Sequence, residues 1–136
     1  LHWGHDITSE NNPIESGLSF AVNFEKKENF IGRQELEKIK ANPLIKKLEL
    51  FSLKYNFKPG RPLLLHDEPI FKDRNIVGYT TSSNFSFCYN KNIFLAYVKS
   101  DIRDCDNLVI EVEGKRHAIK LEKKPIHDPT SNLMRS

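Results

Sequence analysis

His5 and Asp6 stand side by side near the start of the chain, in Trp3-Gly-His-Asp-Ile-Thr8, followed by a polar turn that runs to Pro13. A carboxylate beside an imidazole can orient the ring and favour its protonated form, the arrangement that general acid–base chemistry uses. Adjacent residues of an extended loop point to opposite sides, however, so the residue types favour a structural loop in which Asp6 or Thr8 bonds nearby backbone amides. No nucleophile motif accompanies the pair, since neither Gly-x-Ser-x-Gly nor a Cys/His signature occurs. The five histidines, His2, His5, His66, His117 and His127, never fall at a metal-ligand spacing such as His-x-x-x-His. No metal ligand is therefore assigned, and a site could form only by long-range assembly. Val77-Gly78 lacks both the glycines of a dinucleotide loop and the Gly-Lys-Ser/Thr of a phosphate loop.

The elements that must position these groups follow from periodicity. Leu18, Phe20 and Val22 alternate with Ser19, Ala21 and Asn23, which predicts a strand over 18–24 at the edge of a sheet. After the charged turn 25–28, Leu36 and Ile39 lie three apart among good helix formers and predict a short amphipathic helix over 33–41. Asn42-Pro43 ends it, because the proline ring disfavours helix at Asn42. Everything beyond Pro43 reads as β with no further helix. Residues 47–53 alternate, with Leu48, Leu50 and Ser52 on one face and Glu49, Phe51 and Leu53 on the other. Strands are also expected over 69–71, 76–81, 93–98, 108–113 and 117–122, with turns at 58–60, 72–75 and 114–116. Residues 82–92 read as a polar loop, with Phe85, Phe87 and Tyr89 alternating inside it, and 100–107 as acidic and irregular. The fold class is mainly β with a short α+β start: residues 1–43 end an α+β domain, and residues 44–136 form a small antiparallel β-barrel or sandwich.

Composition excludes several classes of function. At 136 residues the chain is long enough for one domain, or for a small domain plus part of another. Its net charge of +3 is mild and its lysines are interspersed with glutamates, unlike the gathered basic face of a nucleic-acid binder. Lys46-Lys47 and Lys123-Lys124 read as solvated strand ends. No apolar run approaches the ~18 residues that a membrane span needs. Cys88 and Cys105 lack CxxC spacing and read as reduced thiols of a cytoplasmic protein. With no methionine before Leu1, the chain also reads as part of something larger.

Three stretches carry a resemblance: Trp3-Gly-His-Asp-Ile-Thr8, Asn12-Pro-Ile-Glu-Ser-Gly-Leu-Ser-Phe20, and Asn29-Phe-Ile-Gly-Arg-Gln-Glu-Leu36. Together they resemble the folate-binding aminomethyltransferase family, which includes the T-protein of the glycine cleavage system and the C-terminal half of the FAD-dependent dimethylglycine and sarcosine dehydrogenases. The wording around Trp3 and the tail Pro125-Ile-His-Asp-Pro129 with Met134-Arg135 are closer to the dehydrogenase branch. Ile76-Val-Gly-Tyr-Thr-Thr-Ser82 and Ile93-Phe-Leu-Ala-Tyr-Val98 resemble strands of that family's C-terminal barrel. Between them the family carries a glycine-rich loop, whereas this sequence has Ser83-Asn-Phe-Ser-Phe-Cys-Tyr-Asn90.

The resemblance implies a tetrahydrofolate cofactor whose glutamate tail is held by positive charge. A carboxylate is best held by a guanidinium or lysine charge in a partly dry cleft. Arg135 matches the family's C-terminal arginine in position, and Lys26 and Lys27 match more loosely a basic residue after the first strand. The solvated-surface reading stays open for Arg135 and is favoured for the two lysines. The family's catalytic aspartate and pterin-binding glutamate would both lie before Leu1, so no catalytic residue is assigned, and any FAD would bind an upstream domain. Two functions follow: the C-terminal portion of a folate-dependent aminomethyltransferase-type enzyme, or a non-catalytic module that pairs with a separate N-terminal half or partner subunit. Self-association through a face left uncovered is expected in either case. No nucleic-acid or membrane partner is expected.

Overall fold

A computed structural model describes residues 1–55, 58–59, 61–102, 107–123, 127–130 and 132–135. Cys105 and Lys124 lie outside them, as do parts of the expected 58–60 turn and of the irregular 100–107 segment. Six strands follow a short helix: α1 (Arg33–Ala41), β1 (Lys46–Leu53), β2 (Pro69–Lys72), β3 (Asn75–Ser86), β4 (Lys91–Lys99), β5 (Leu108–Val112) and β6 (Lys115–Leu121). They close into an antiparallel barrel in the order β1-β4-β3-β2-β5-β6, with β1 pairing both β4 and β6. A second short helix, α2 (Asn132–Arg135), follows the barrel.

Alternation along the strands fills the barrel interior. Phe51 and Leu53 of β1 point inward with Ile70, Phe94, Ala96, Val98, Leu108, Ile110, Val112 and Ile119. Phe51 and Phe94 are cross-strand partners whose rings stack at 5.6 Å. In β4 every second residue is buried, and Ile93, Leu95 and Tyr97 face outward, partly exposed. Closure also settles Ser52, which lies on the face of β1 opposite inward-pointing Phe51 and Leu53 yet is fully buried, its hydroxyl donating to Glu122 Oε1 at 2.7 Å. Two tight hairpins close with left-handed residues where the expected turns lie, at Asp73 (φ 57°) and at Glu113-Gly114 (φ 51° and 71°).

Three expectations need correction. The 18–24 alternation does not make a strand. Ser19–Ala21 form one 3-10 turn, and Phe20 is 84% exposed. A strand exists only as a rung of a ladder, and no described residue pairs with this stretch. The expected 82–92 loop is largely strand, because Ser82–Ser86 pair with Leu95–Lys91 beyond a bulge at Thr80–Ser82. The last correction is α2, whose first amides, Asn132 and Leu133, donate to the Asp128 carboxylate at 2.8 and 3.0 Å.

Residues 1–17 form a loop fastened to the barrel by buried polar groups. Asp6, 2% exposed, accepts from the His2 amide at 2.7 Å and from the Thr81 hydroxyl at 2.5 Å. Its structural role is thus the one that its residue type suggested. Burial alone pushes the Asp6 carboxyl up, but bonds from Thr81, Ser82 and the His2 amide outweigh it and hold the group below the usual range. Ser16 shares a 2.9 Å hydrogen bond with the Tyr97 hydroxyl, and the Leu48 amide donates to the Glu15 carbonyl at 2.8 Å.

Two predictions follow from this packing. A Cβ at Gly78 would lie 2.3 Å from the Tyr97 carbonyl oxygen and 2.8 Å from Val98 Cγ1, and the neighbouring ladder cannot retreat. Gly78→Ala should destabilise the barrel by about 3 kcal/mol, read as a fall of roughly 10 °C in calorimetric Tm. Asp6→Asn should cost about 1–3 kcal/mol near neutral pH. Since the folded carboxyl is held below its unfolded value, its contribution is complete above about pH 4 and is lost as the pH falls below that. Urea unfolding from pH 7 to pH 2 should therefore show the variant converging on the parent only at the acid end.

Candidate functional site

The basic turn before α1 is organised by Arg33. Its guanidinium donates to the carbonyls of Phe24 and Lys26, each at 2.8 Å, and its Nε pairs with Glu37 one helical turn on at 2.8 Å. Arg33 thus folds residues 24–30 back on the helix and presents Lys26 and Lys27, both exposed, at the outer bend. Lys40, on the last turn of α1, places its ammonium 4.5 Å from the centre of the Phe24 ring. Beside the turn lies an open hollow of ≈ 720 Å³, lined by Ile14, Phe20, Val22, Phe24, Glu25 and Lys40 among others. Its walls mix apolar side chains with the polar groups of Ser19, Asn23 and Glu25, and Lys40 supplies a cation. The fixed 3.6-residue period of α1 made this helix legible, whereas the reach of Arg33 across to Phe24 and Lys26 is a tertiary contact that leaves no mark in the spacing.

Arg135 ends α2 and is exposed. Among the described residues no hydrogen bond or ion pair joins it to Lys26 or Lys27, and none of the three is engaged by a carboxylate. The structure brings the three together by no direct contact among the described residues.

A second set of polar groups marks the joint between loop and barrel. Burial raises the Tyr97 phenol above its ordinary value, the Glu15 and Asp6 charges add to this, and the Ser16 hydrogen bond partly offsets it. Lys46 reaches over the Tyr97 ring at 4.7 Å and approaches Glu15 at 3.9 Å. Glu68 is also raised, by burial and by the Glu113 charge, with Leu65 and His66 acting the other way. Every buried side-chain polar atom among the described residues has a partner. Asp6 is committed to Thr81 and to His2, so its carboxylate orients the loop and is not free to orient the His5 ring. His5 instead lies near His2 and His66, with ring centres 4.7 and 6.1 Å away.

Comparison with known proteins places this geometry. The family model of the glycine cleavage T-protein C-terminal barrel domain matches residues 48–128, which takes in the six strands from the third residue of β1 to the end of β6. An aminomethyltransferase of Synechocystis sp. is 34% identical over 90% of this chain and 32% of its own length. The mitochondrial dimethylglycine dehydrogenase of Homo sapiens is 30% identical over 97% of this chain and 15% of its own. The crystal structure of the glycine cleavage system aminomethyltransferase T from Bartonella henselae shares the fold, with a TM-score of 0.73 at 23% identity over 90% of this chain and 34% of that one. The chain spans about a third of the length of the aminomethyltransferases it matches, and less of the dehydrogenase. The closed six-stranded barrel and this matched span together make the chain a member of the glycine cleavage T-protein C-terminal barrel domain family.

Proposed function

We propose that this chain is the C-terminal portion of a tetrahydrofolate-dependent aminomethyltransferase-type protein and is not catalytically complete alone. The observation that carries the reading is the family match over 48–128 combined with relatives aligned along nearly all of this chain but only a third of their own length. Residues 1–43 would end a folate-binding domain, and residues 44–136 would form its C-terminal barrel domain. The whole protein would pass a one-carbon unit from an amine to tetrahydrofolate, giving 5,10-methylenetetrahydrofolate. Candidate amines are a glycine-derived aminomethyl group, dimethylglycine and sarcosine. In the last two cases the amine would first be oxidised by FAD on an upstream domain.

The work asked of this portion is positioning. Holding two reactants in register converts an encounter into an effectively unimolecular step. Arg135, Lys26 and Lys27 fit the chemistry of a dicarboxylate tail, because all three are exposed cations without a carboxylate partner among the described residues. The hollow at Phe20 and Phe24 sets aromatic faces beside the polar groups of Ser19 and Asn23, a lining in keeping with a flat heteroaromatic ring. The exposed free thiol of Cys88 is in keeping with a reducing, cytoplasmic setting.

A second reading, a non-catalytic module that pairs with a separate N-terminal half or partner subunit, is favoured by one specific observation. Trp3, Phe20 and Ile31 are 70%, 84% and 104% exposed, and neither the Ser19–Ala21 turn nor α1 contains a buried residue. These exposed apolar side chains of residues 1–43 are the kind of surface that a second chain would cover.

Calorimetric titration of 5-formyltetrahydrofolate into the chain tests the first reading. Weak binding is expected, and Arg135→Ala should reduce it about tenfold or more, the loss of a charge-assisted contact. Absence of binding at millimolar ligand would leave the barrel as a structural module and favour the second reading. Sedimentation velocity tests that reading directly: self-association that rises with concentration and falls in Phe20→Ser is expected from an uncovered apolar face. A monodisperse monomer at high concentration would count against it.

A further inference from the structure

The β3–β4 hairpin stands clear of the barrel at its far end. β1 pairs with β4 only as far as Ser52 opposite Ile93, and β2 pairs with β3 only over Asn75–Tyr79. Phe85 and Ser86, opposite Asn92 and Lys91, therefore pair with no third strand. The Tyr89 amide donates to the Ser86 carbonyl at 3.3 Å and Asn90 sits at φ 50°, which closes a tight turn with Phe87 and Cys88 at its corner. Phe87 is 80% exposed there, and Phe85 braces it edge-to-face with ring centres 5.2 Å apart. A strap over 61–65 runs beside this hairpin towards its tip. The hydroxyls of Thr80 and Ser83 donate to the carbonyls of Leu65 and Leu64 at 2.7 and 2.5 Å, and Asn92 Nδ2 donates to the Pro62 carbonyl at 3.4 Å. Leu64 is buried, whereas Leu63 and Leu65 are exposed. Arg61 follows at the tip end of the strap, and its amide donates to the Lys58 carbonyl at 3.0 Å, which keeps the two cations in one turn.

We propose that this hairpin tip and strap form a contact site for an anionic lipid surface, with Phe87 and Leu63 as the apolar contacts and Lys58, Arg61 and Lys91 as the headgroup contacts. Charge carries the choice of partner. No aspartate or glutamate occurs between Lys54 and His66, or between Asn75 and Ser100. Lys58, Arg61 and Lys91 pair with no carboxylate among the described residues. Cations without an acidic neighbour are drawn to anionic headgroups, and an aromatic ring beside them settles at headgroup depth. A symmetric contact with a second copy of this chain would instead repeat the patch on both sides and set cation against cation.

The expectation of no membrane partner rests on the lack of a long apolar run, and no helix among the described residues is long and apolar enough to cross a membrane. Surface contact needs no such helix, because a projecting turn enters only the interfacial layer. The turn is prepared for it. Its backbone is fixed by the 86–89 bond and by the ladder behind it, so little chain entropy is lost when the Phe87 ring enters the layer. A turn of this kind needs only small polar residues at its corner, and a phenyl ring there meets nothing of the chain beyond Phe85 that accounts for it. The inference rests on this patch alone and stands or falls separately from the folate reading.

The test is co-sedimentation of the chain with vesicles of phosphatidylcholine alone and of phosphatidylcholine mixed with phosphatidylglycerol. Binding to the mixed vesicles only is expected, and it should weaken as salt rises. Phe87→Ser should weaken it about tenfold or more. Arg61→Gln combined with Lys91→Gln should weaken it by a similar factor and flatten the salt dependence. Phe87 and Arg61 are exposed, and unchanged circular dichroism of the variants will confirm that their folds are intact. No binding to the mixed vesicles at low salt would overturn the proposal. So would binding that Phe87→Ser leaves unaltered, since adsorption would then follow net charge and not this tip. Self-association that Phe87→Ser abolishes, without vesicle binding, would overturn it too and assign the patch to a second copy of the chain.

Discussion

The register slip between Thr80 and Ser82 in β3 is the constraint on which the joint between the two parts of the chain depends. In an unbroken ladder, residues 80 and 82 would share a face and 81 would take the other. The bulge inserts one residue, so Thr80 stays inside the barrel, Ser82 pairs opposite outward-facing Leu95, and Thr81 is left with a hydroxyl free to reach Asp6. One hydroxyl then holds the 65–68 loop and its neighbour holds the N-terminal loop. Bulges recur where a side chain must be re-aimed, and here it is the Thr81 hydroxyl that is turned to Asp6.

Barrel closure explains why the two parts differ so much in how firmly they are built. Every strand edge from β1 to β6 has a partner, and the interior is filled by inward-facing apolar side chains. Residues 1–43 have no such interior. They lean on the barrel through Asp6–Thr81, Ser16–Tyr97 and the Leu48–Glu15 backbone bond, and leave Trp3, Phe20 and Ile31 exposed. Elements with few buried contacts open at lower free energy than a core. The basic turn at Lys26-Lys27 belongs to this weaker part, and Arg33 is what gives it a shape.

The polar groups divide by partner. Asp6, Glu15, Ser16, Ser52 and Thr80 are buried and bonded, so they specify how the pieces fit. Lys26, Lys27 and Arg135 are exposed and, among the described residues, paired with no carboxylate. An adjacent His-Asp in sequence invites a catalytic reading, but geometry assigns the aspartate to architecture and turns the histidine toward two other imidazoles.

Local chemistry determined much of the chain by itself. The three-residue spacing of Leu36 and Ile39, closed by Asn42-Pro43, set α1, and the alternation of 47–53, the apolar run of 93–98 and the hairpin outline of 108–122 set β1, β4, β5 and β6. The short-range reason is that side-chain period and turn residues report φ and ψ directly. The tertiary structure decided whatever needs a partner. The 18–24 alternation has no strand to pair with and does not form one, whereas the polar 82–86 segment becomes strand because β4 lies beside it. Strand order, the burial of Ser52, the grip of Arg33 on the basic turn and the meeting of His5 with His66 are contacts between residues far apart in sequence. Periodicity carries no information about such pairs, because loop closure and ladder pairing are settled only when the whole barrel closes.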